Sequence, residues 1–240
     1  MTLMLHCGAE PIDYPALRNI QTPEPTPSHV PIPHHRLVDM VRHTLGFYGH
    51  EVISESHGVT LDGMRYFGVM MLKSPYGGYE DAVALRNSHD KKFPIGIGFG
   101  GHVFCCDNMS LMADHVIRRK HTANAKRDLP GLVAEVVEPL ADARDRQQQS
   151  FSRYRATLLS PERADHAILD LFRTGVINVN RIPEVVHEWE TPSFEEFEDT
   201  GFSAWRLFNA VTFVLNGRIL GEPQSTQGLH RIIDGVCAAA

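Results

Sequence analysis

Between residues 50 and 108 short runs of aliphatic, β-branched and aromatic residues alternate with turn formers, and two of the breaks are the hairpin dipeptides Asp62-Gly63 and Gly100-Gly101. No other feature narrows the fold as much, because strands joined by two-residue turns can only be antiparallel neighbours. The runs Glu51 to Ser56, Met64 to Leu72, Tyr79 to Leu85, Ile95 to Phe99 and His102 to Cys106 predict a meander of about five strands. A turn at Asp62-Gly63 sets Leu61 opposite Met64 and Val59 opposite Tyr66. One at Gly100-Gly101 sets Phe99 opposite His102 and Ile95 opposite Cys106. Gly96 and Gly98 then share a strand face with Val103 and Cys105, which marks a place where a backbone or a ligand comes close.

The flanks read differently. Seven of the 15 prolines lie between Pro11 and Pro33, and the spacing of Pro23, Pro25, Pro27, Pro31 and Pro33 forbids a helix and disfavours a central strand. Residues 9 to 33 are therefore expected to form an extended arm, docked on its own body or on a neighbouring subunit through Ile12, Tyr14, Leu17, Ile20, Val30 and Ile32. Leu37, Val38, Met40, Val41 and Leu45 fall at helical spacing over about 34 to 45. Beyond 128 the helical period returns in Leu129, Leu132, Val133, Val136, Val137 and Leu140, and Pro139 kinks or restarts that helix. Ser160-Pro161 opens another that stops at Gly175, and a third runs from about Phe202 to Leu215 with Gly217 after it. The fold expected is α+β, an antiparallel sheet packed against helices. A Pro-rich arm occupies 1–33, a helix and sheet core 34–128, and a helical portion that packs on the sheet 129–240.

Composition excludes several classes. Of 240 residues 42% are apolar and 22% charged, ordinary for a globular chain and unlike a disordered, collagen-like or coiled-coil one. Lys and Arg number 23 against 29 Asp and Glu, a net charge of -6, so binding to a polyanion or an anionic membrane would need a local cationic patch. Cys7, Cys105, Cys106 and Cys237 include no pair at zinc-knuckle or redox spacing. No run approaches the ~18 consecutive apolar residues of a membrane span, and Met1 to His6 lacks the basic flank and apolar run of a secretory signal. A cytoplasmic protein with reduced thiols and no membrane partner is expected, without a resident cofactor unless a divalent metal sits among the residues named next.

In the predicted register the loop after Leu85 and the segment after Cys106 lie at one edge of the sheet, which gathers Arg86, Asn87, Ser88, His89, Asp90, Asp107 and Asn108. Such a group is either a hydrogen-bond knot, in which Asn and Asp satisfy turn backbones, or a functional site. As a site it offers two chemistries. Ser88, His89, Asp90 and Asp107 are candidate catalytic residues, and His89, Asp90 and Asp107 with His121 are weak candidate ligands for metal-assisted hydrolysis, without HExxH-type spacing. His34-His35 and the remaining histidines read as solvated or core-satisfied. The second chemistry is electrostatic. Arg118, Arg119, Lys120, Lys126 and Arg127, with His115 and His121, form the densest basic stretch, so Arg86, Asn87, Asn108, Arg118, Arg119, Lys120 and His121 are expected to contact nucleic acid. Tyr66, Tyr76 and Tyr79 are candidates for base stacking. No P-loop, Rossmann, GxSxG or kinase motif occurs, while residues 184 to 199 carry seven carboxylates and no Lys or Arg.

Leu85 to Phe93 (LRNSHDKKF), Gly98 to Asn108 (GFGGHVFCCDN), Arg119 to Thr122, Asp62 to Gly68 and Ala204 to Thr212 resemble the phage/plasmid-like protein family, a domain of unknown function, over about 36 to 234. The Pro-rich arm lies outside the resemblance. It implies a mobile-element context and no activity. A helix, a meander and a long helix in succession are also similar in outline to phage single-strand annealing proteins. The function expected is an intracellular, homo-oligomeric nucleic-acid-binding protein, with single-stranded DNA favoured, that anneals or protects strands rather than turning over a substrate. The alternatives are a metal-dependent hydrolase at the polar edge and a protein-binding inhibitor of a host defence factor, with the acidic stretch as its surface.

Overall fold

The computed structural model describes residues 8–76, 80–103, 108–215 and 223–239, with backbone alone at 101–103, 108–116, 223–224 and 226. Six antiparallel strands lie side by side in chain order: β1 (Glu10–Ile12), β2 (Val52–Val59), β3 (Arg65–Leu72), β4 (Glu80–Ser88), β5 (Ile95–Val103) and β6 (Asn108–Arg119). With nine α-helices among the described residues the class is α+β, and the sheet has one strand more than the sequence suggests. The addition is β1, where the start of the Pro-rich arm pairs along the edge of β2, Ile12 opposite His57.

At Asp62-Gly63 the predicted register is present, with Val59 opposite Tyr66, but the turn is not the type I′ that an Asp-Gly dipeptide favours. Gly63 is left-handed, at φ 70°, whereas a type I′ turn needs positive φ at both central residues. Asp62 instead accepts hydrogen bonds from Thr60 Oγ1 at 2.5 Å and from the Met64 amide at 3.0 Å. The Gly100-Gly101 hairpin does not form. Both glycines lie inside β5, opposite Ala82 and Asp81 on β4 and Leu111 and Ser110 on β6. A turn there would forfeit ladder hydrogen bonds on both sides of a central strand, so the non-local pairing overrides the local dipeptide. The last strand is consequently Asn108–Arg119 rather than His102 to Cys106. Cys7, Tyr79, Cys105, Cys106, Asp107 and Gly217 lie outside the described residues.

Residues 9 to 33 are not a plain extended arm. After β1, Asp13 Oδ1 accepts from the Ala16 amide at 2.7 Å and caps the one-turn helix α1 (Tyr14–Arg18), whose Leu17 is fully buried. Pro15 sits in its first turn, where the missing amide costs nothing. The rest of the arm is irregular, with Thr26 bridged to His29, until Pro33 caps α2 (His34–Phe47).

Side chains alternate across each strand, so the sheet has two buried faces. On one, Tyr66, Met70, Leu72, Val83, Leu85, Ile95, Ile97 and Phe99 meet Leu37, Val41 and Leu45 of α2, Leu17 and Ile32 of the arm, and Leu129, Val133 and Val137 of α3 (Ala125–Val137). Pro139 separates α3 from α4 (Leu140–Ala156). Helix α4 serves both faces: Leu140 and Ala143 join the first cluster, Phe151 and Tyr154 the second. It rounds the end of the sheet where Arg144 pairs with the fully buried Asp81. On the second face Phe67, Val69, Met71, Ala82 and Ala84 are covered by α4, α5 (Pro161–Arg173), α6 (Ile182–Glu190), α7 (Glu195–Glu198), α8 (Ala204–Val214) and α9 (Pro223–Ala238). Ser160 Oγ accepts from the Arg163 amide and Gly175, at φ 75°, follows the end of α5, as the sequence predicts. Each large apolar side chain so buried contributes ~1.5–3 kcal/mol. No helix among the described residues is long and apolar enough to cross a membrane.

Candidate functional site

The antiparallel order brings the start of β3, the end of β4, the start of β5 and the end of β6 to one end of the sheet: Arg65 lies opposite Ser88, Arg86 opposite Gly96, and Ile95 opposite Arg119. Arg86 to Asp90 therefore do gather, and their neighbours are Arg118 to His121. Asn108 is not among them. It pairs with Val103, next to the Glu80–His102 pair at the opposite end, because β5 runs on through the two glycines. The expected juxtaposition of Asn87 or His89 with Asn108 is thus corrected.

The polar residues at this end do two things. Those on the α2 face hold the arm. Asn87 Nδ2 donates to the Ile32 carbonyl at 2.8 Å and lies 2.9 Å from His34 Nδ1, while His89 Nε2 donates to the same Ile32 carbonyl at 2.9 Å. His34 Nε2 donates to the Gly63 carbonyl and His29 Nε2 to the His89 carbonyl, both at 3.0 Å, and the Val30 amide donates to the His121 carbonyl at 2.9 Å. The His34 and His89 rings stack at 3.9 Å and 6°, and the His29 and His121 rings lie 5.0 Å apart. His34 and His29 are thus core-satisfied histidines, as the sequence suggests, and their bonds join the arm to the site. Those on the other side tie a turn. Ser88 Oγ donates to Asp90 Oδ1 at 2.5 Å and accepts from the Lys92 amide, and Asp90 pairs with Arg65 at 2.7 Å.

Burial sets the electrostatics. His34 is pushed down to about 3 by burial and then by His89, and His121 to about 4 by burial and then by His29 and His89. His89 is lowered by burial as well. Burial alone would raise Asp90, but hydrogen bonds from Ser88 and Arg65 outweigh it and hold the carboxyl below its ordinary value. Neutral imidazoles donating to carbonyls are not arranged as ligands, and among the described residues no group of three or more His, Cys, Asp or Glu could hold a metal ion. Ser88 hydrogen-bonds to Asp90 while His89 bonds to the arm, so no Ser-His pair forms here.

Beside the cluster opens a pocket of about 270 Å³, lined by Ser28 and His29 of the arm, Lys91 to Pro94 of the β4–β5 loop, and Lys120, His121 and Thr122 after β6. No carboxylate lines it. Lys91, Lys92 and Lys120 are exposed, and Lys91 has φ 66°, uncommon for a residue with a side chain. Arg118, exposed and opposite Gly96, adds charge nearby. Arg119 is on the other strand face, committed to Asp128 at 2.5 Å. Arg86 lies over Gly96, where a Cβ would come within 2.8 Å of its side chain, and over the Phe93 ring at 5.2 Å. The close approach marked by Gly96 is thus made by a side chain of the same protein. Tyr66 is buried against His57 at 2.9 Å, and Tyr76 donates to Asp145, so neither is a free stacking surface. In the acidic stretch Glu188 is buried on Ser193 and Glu184 pairs with Arg181, while Glu190, Glu195, Glu196, Glu198 and Asp199 are exposed.

Lys91 and Lys92 were within reach of sequence reasoning as neighbours of the polar run. Ser28, His29 and His34 carried no spacing signal, since they meet the site only through docking of the arm. No curated protein and no solved structure matches the chain. Residues 26–232, which take in His29, His34, the pocket and every strand from β2 to β6, match the family described as a domain of unknown function, DUF932, and the chain belongs to it.

Proposed function

We propose that this protein binds nucleic acid, single strands above all, at the end of the sheet where Lys91, Lys92, Arg118 and Lys120 gather, in a phage or plasmid setting and in the cytoplasm. The observation that carries the reading is the pocket with three lysines and no carboxylate in its lining, on a chain whose net charge is -6. Positive charge concentrated against the overall balance is what tracking a phosphate backbone requires. Phe93 lines the wall half-buried, but its ring packs on Phe67 and lies under Arg86, so the reading rests on charge rather than on stacking. Arg119 contributes less than its position in the basic stretch suggests, because Asp128 already neutralises it.

The test is a titration with single-stranded and duplex DNA at two salt concentrations. Replacing Lys91, Lys92 and Lys120 together by Ala should weaken binding about equally across sequences and flatten the salt slope by about 2, at roughly 0.7 per lost contact on a single strand. No binding to either DNA at low salt, or an unchanged slope in the triple variant, overturns the proposal. Annealing or protecting a strand calls for several copies side by side, and light scattering with and without DNA tests that part.

A further inference from the structure

We propose that the pocket between the arm and the β4–β5 loop receives a phosphate monoester, such as the phosphorylated end of a nucleic-acid strand, held by Lys91, Lys92 and Lys120 and hydrogen-bonded by His121 and Thr122. This deepens the nucleic-acid reading and rests on it for the source of the group. Three independent observations converge on the pocket. His121 lines it and is 4% exposed, and its ring has only a poorly aligned backbone contact with Val30. Buried polar groups are nearly always well partnered, so an imidazole this weakly held beside an open cavity points to an acceptor that a turn of the ring would reach. The lining supplies cations from two separate segments and hydroxyls from Ser28 and Thr122, with no acid to oppose an anion. Lys91 is held left-handed, and the Lys92 amide is tied to Ser88 Oγ at 3.1 Å and Asp90 Oδ1 at 3.2 Å, so the turn that presents both lysines is fixed by the Ser88 and Asp90 knot. Backbone kept in a sparsely populated conformation by its surroundings is characteristic of ligand sites.

The charge count favours a monoester over a diester. A terminal phosphate carries between one and two negative charges near neutral pH and three acceptor oxygens, and a backbone phosphodiester carries one charge on two free oxygens. Three ammonium groups, an imidazole and two hydroxyls match the former. The neutral form of His121 still donates one N–H, which is all the site asks of it. A free mononucleotide presents the same group, so the experiment separates the two sources.

The full chain is titrated with one single-stranded oligonucleotide carrying a phosphate or a hydroxyl at its 5′ end, with its 3′-phosphorylated counterpart, and with a nucleoside monophosphate against its nucleoside. Phosphorylated ends should bind about tenfold tighter than hydroxyl ends, the worth of one charge-assisted contact. His121→Gln should reduce that ratio to near one. Because the ratio is taken within each variant, a general loss of affinity cancels. If His121→Gln fails to fold, the exposed pair Lys91→Gln and Lys92→Gln takes its place with the same expectation. Equal binding of phosphate and hydroxyl ends overturns the proposal and leaves backbone binding standing. Binding of the nucleoside monophosphate alone, sensitive to His121→Gln, supports the monoester site while removing the strand as its source. Binding of no phosphorylated probe overturns it outright.

Discussion

The two faces of the sheet are held by different chemistry. Under α4 to α9 the contacts are aromatic and aliphatic, centred on Phe151, whose ring centroid lies 4.8 Å from Trp205 and 5.7 Å from Phe208. The α2 and α3 face has a comparable aliphatic core, but at the pocket end it is closed by Asn87, His89, His34 and His29 bonded to backbone carbonyls. Apolar burial is strong and indifferent to direction, whereas each of those hydrogen bonds contributes only ~0.5–1.5 kcal/mol net but admits one register of the arm. Both cores supply stability, and the polar end of one decides where the arm sits and hence what walls the pocket has.

The contrast can be broken most decisively at Phe208, which is 1% exposed. Phe208→Ala should lower global stability by about 3–5 kcal/mol in denaturant unfolding. A loss under 1 kcal/mol would mean that the aromatic cluster is not what holds that face.

Acid should act next, and mainly on the arm. His34, His89 and His121 titrate below their ordinary value when the arm is docked, so the undocked form takes up protons first as pH falls. Docking is therefore unchanged above about pH 6.5 and weakens progressively down to about 3. Among the described residues the other face has one such histidine, His230, pushed down to about 4 by burial. Hydrogen exchange at the Val30 amide, corrected for its intrinsic rate, should accelerate between pH 7 and 5 before amides of α8 respond. Parallel opening of both would erase the distinction.

A smaller effect sharpens it. Asn87→Leu removes a donor shared by Ile32 and His34 and should cost about 1–3 kcal/mol, seen as early proteolytic cleavage within residues 19–33 rather than as a lower unfolding midpoint of the whole chain. The smallest expected change is at the exposed Arg173–Asp170 pair, 3.2 Å apart: Arg173→Ala should leave stability within about 0.5 kcal/mol, a baseline for the other three.

The sequence made the meander, α2, the break at Pro139 and the cap at Ser160 legible because each depends on residues close in the chain. Where it misled, distant partners decided. Gly100-Gly101 has a turn's composition, but Ala82 and Leu111 on either side make it strand, and that single displacement moved Asn108 to the wrong end of the sheet. The polar run from Arg86 to Asp90 was found from its composition, yet half of its work, gripping Ile32 and His34, was invisible because the prolines that mark the arm as irregular do not say where it lands. The helices after 128 gave no sign of dividing between the faces, since a helical period marks which residues turn inward and not which core they enter.

Strands that pair only with their sequence neighbours can close one hairpin after another as the chain is synthesised, and such short-range assembly is fast. The arm is the exception. It emerges first, but its seats on Asn87, His89 and His121 come last, and the ~90 residues from His29 to His121 take about 5–20 s to add at ordinary rates of translation. Over that interval an unbound segment beside a growing sheet edge could pair with its own hairpins or with another nascent chain. Pro23, Pro25, Pro27, Pro31 and Pro33 offer no amide to such a ladder. The spacing that looks like a passive tether in the finished protein is, on the ribosome, insurance against pairing too early.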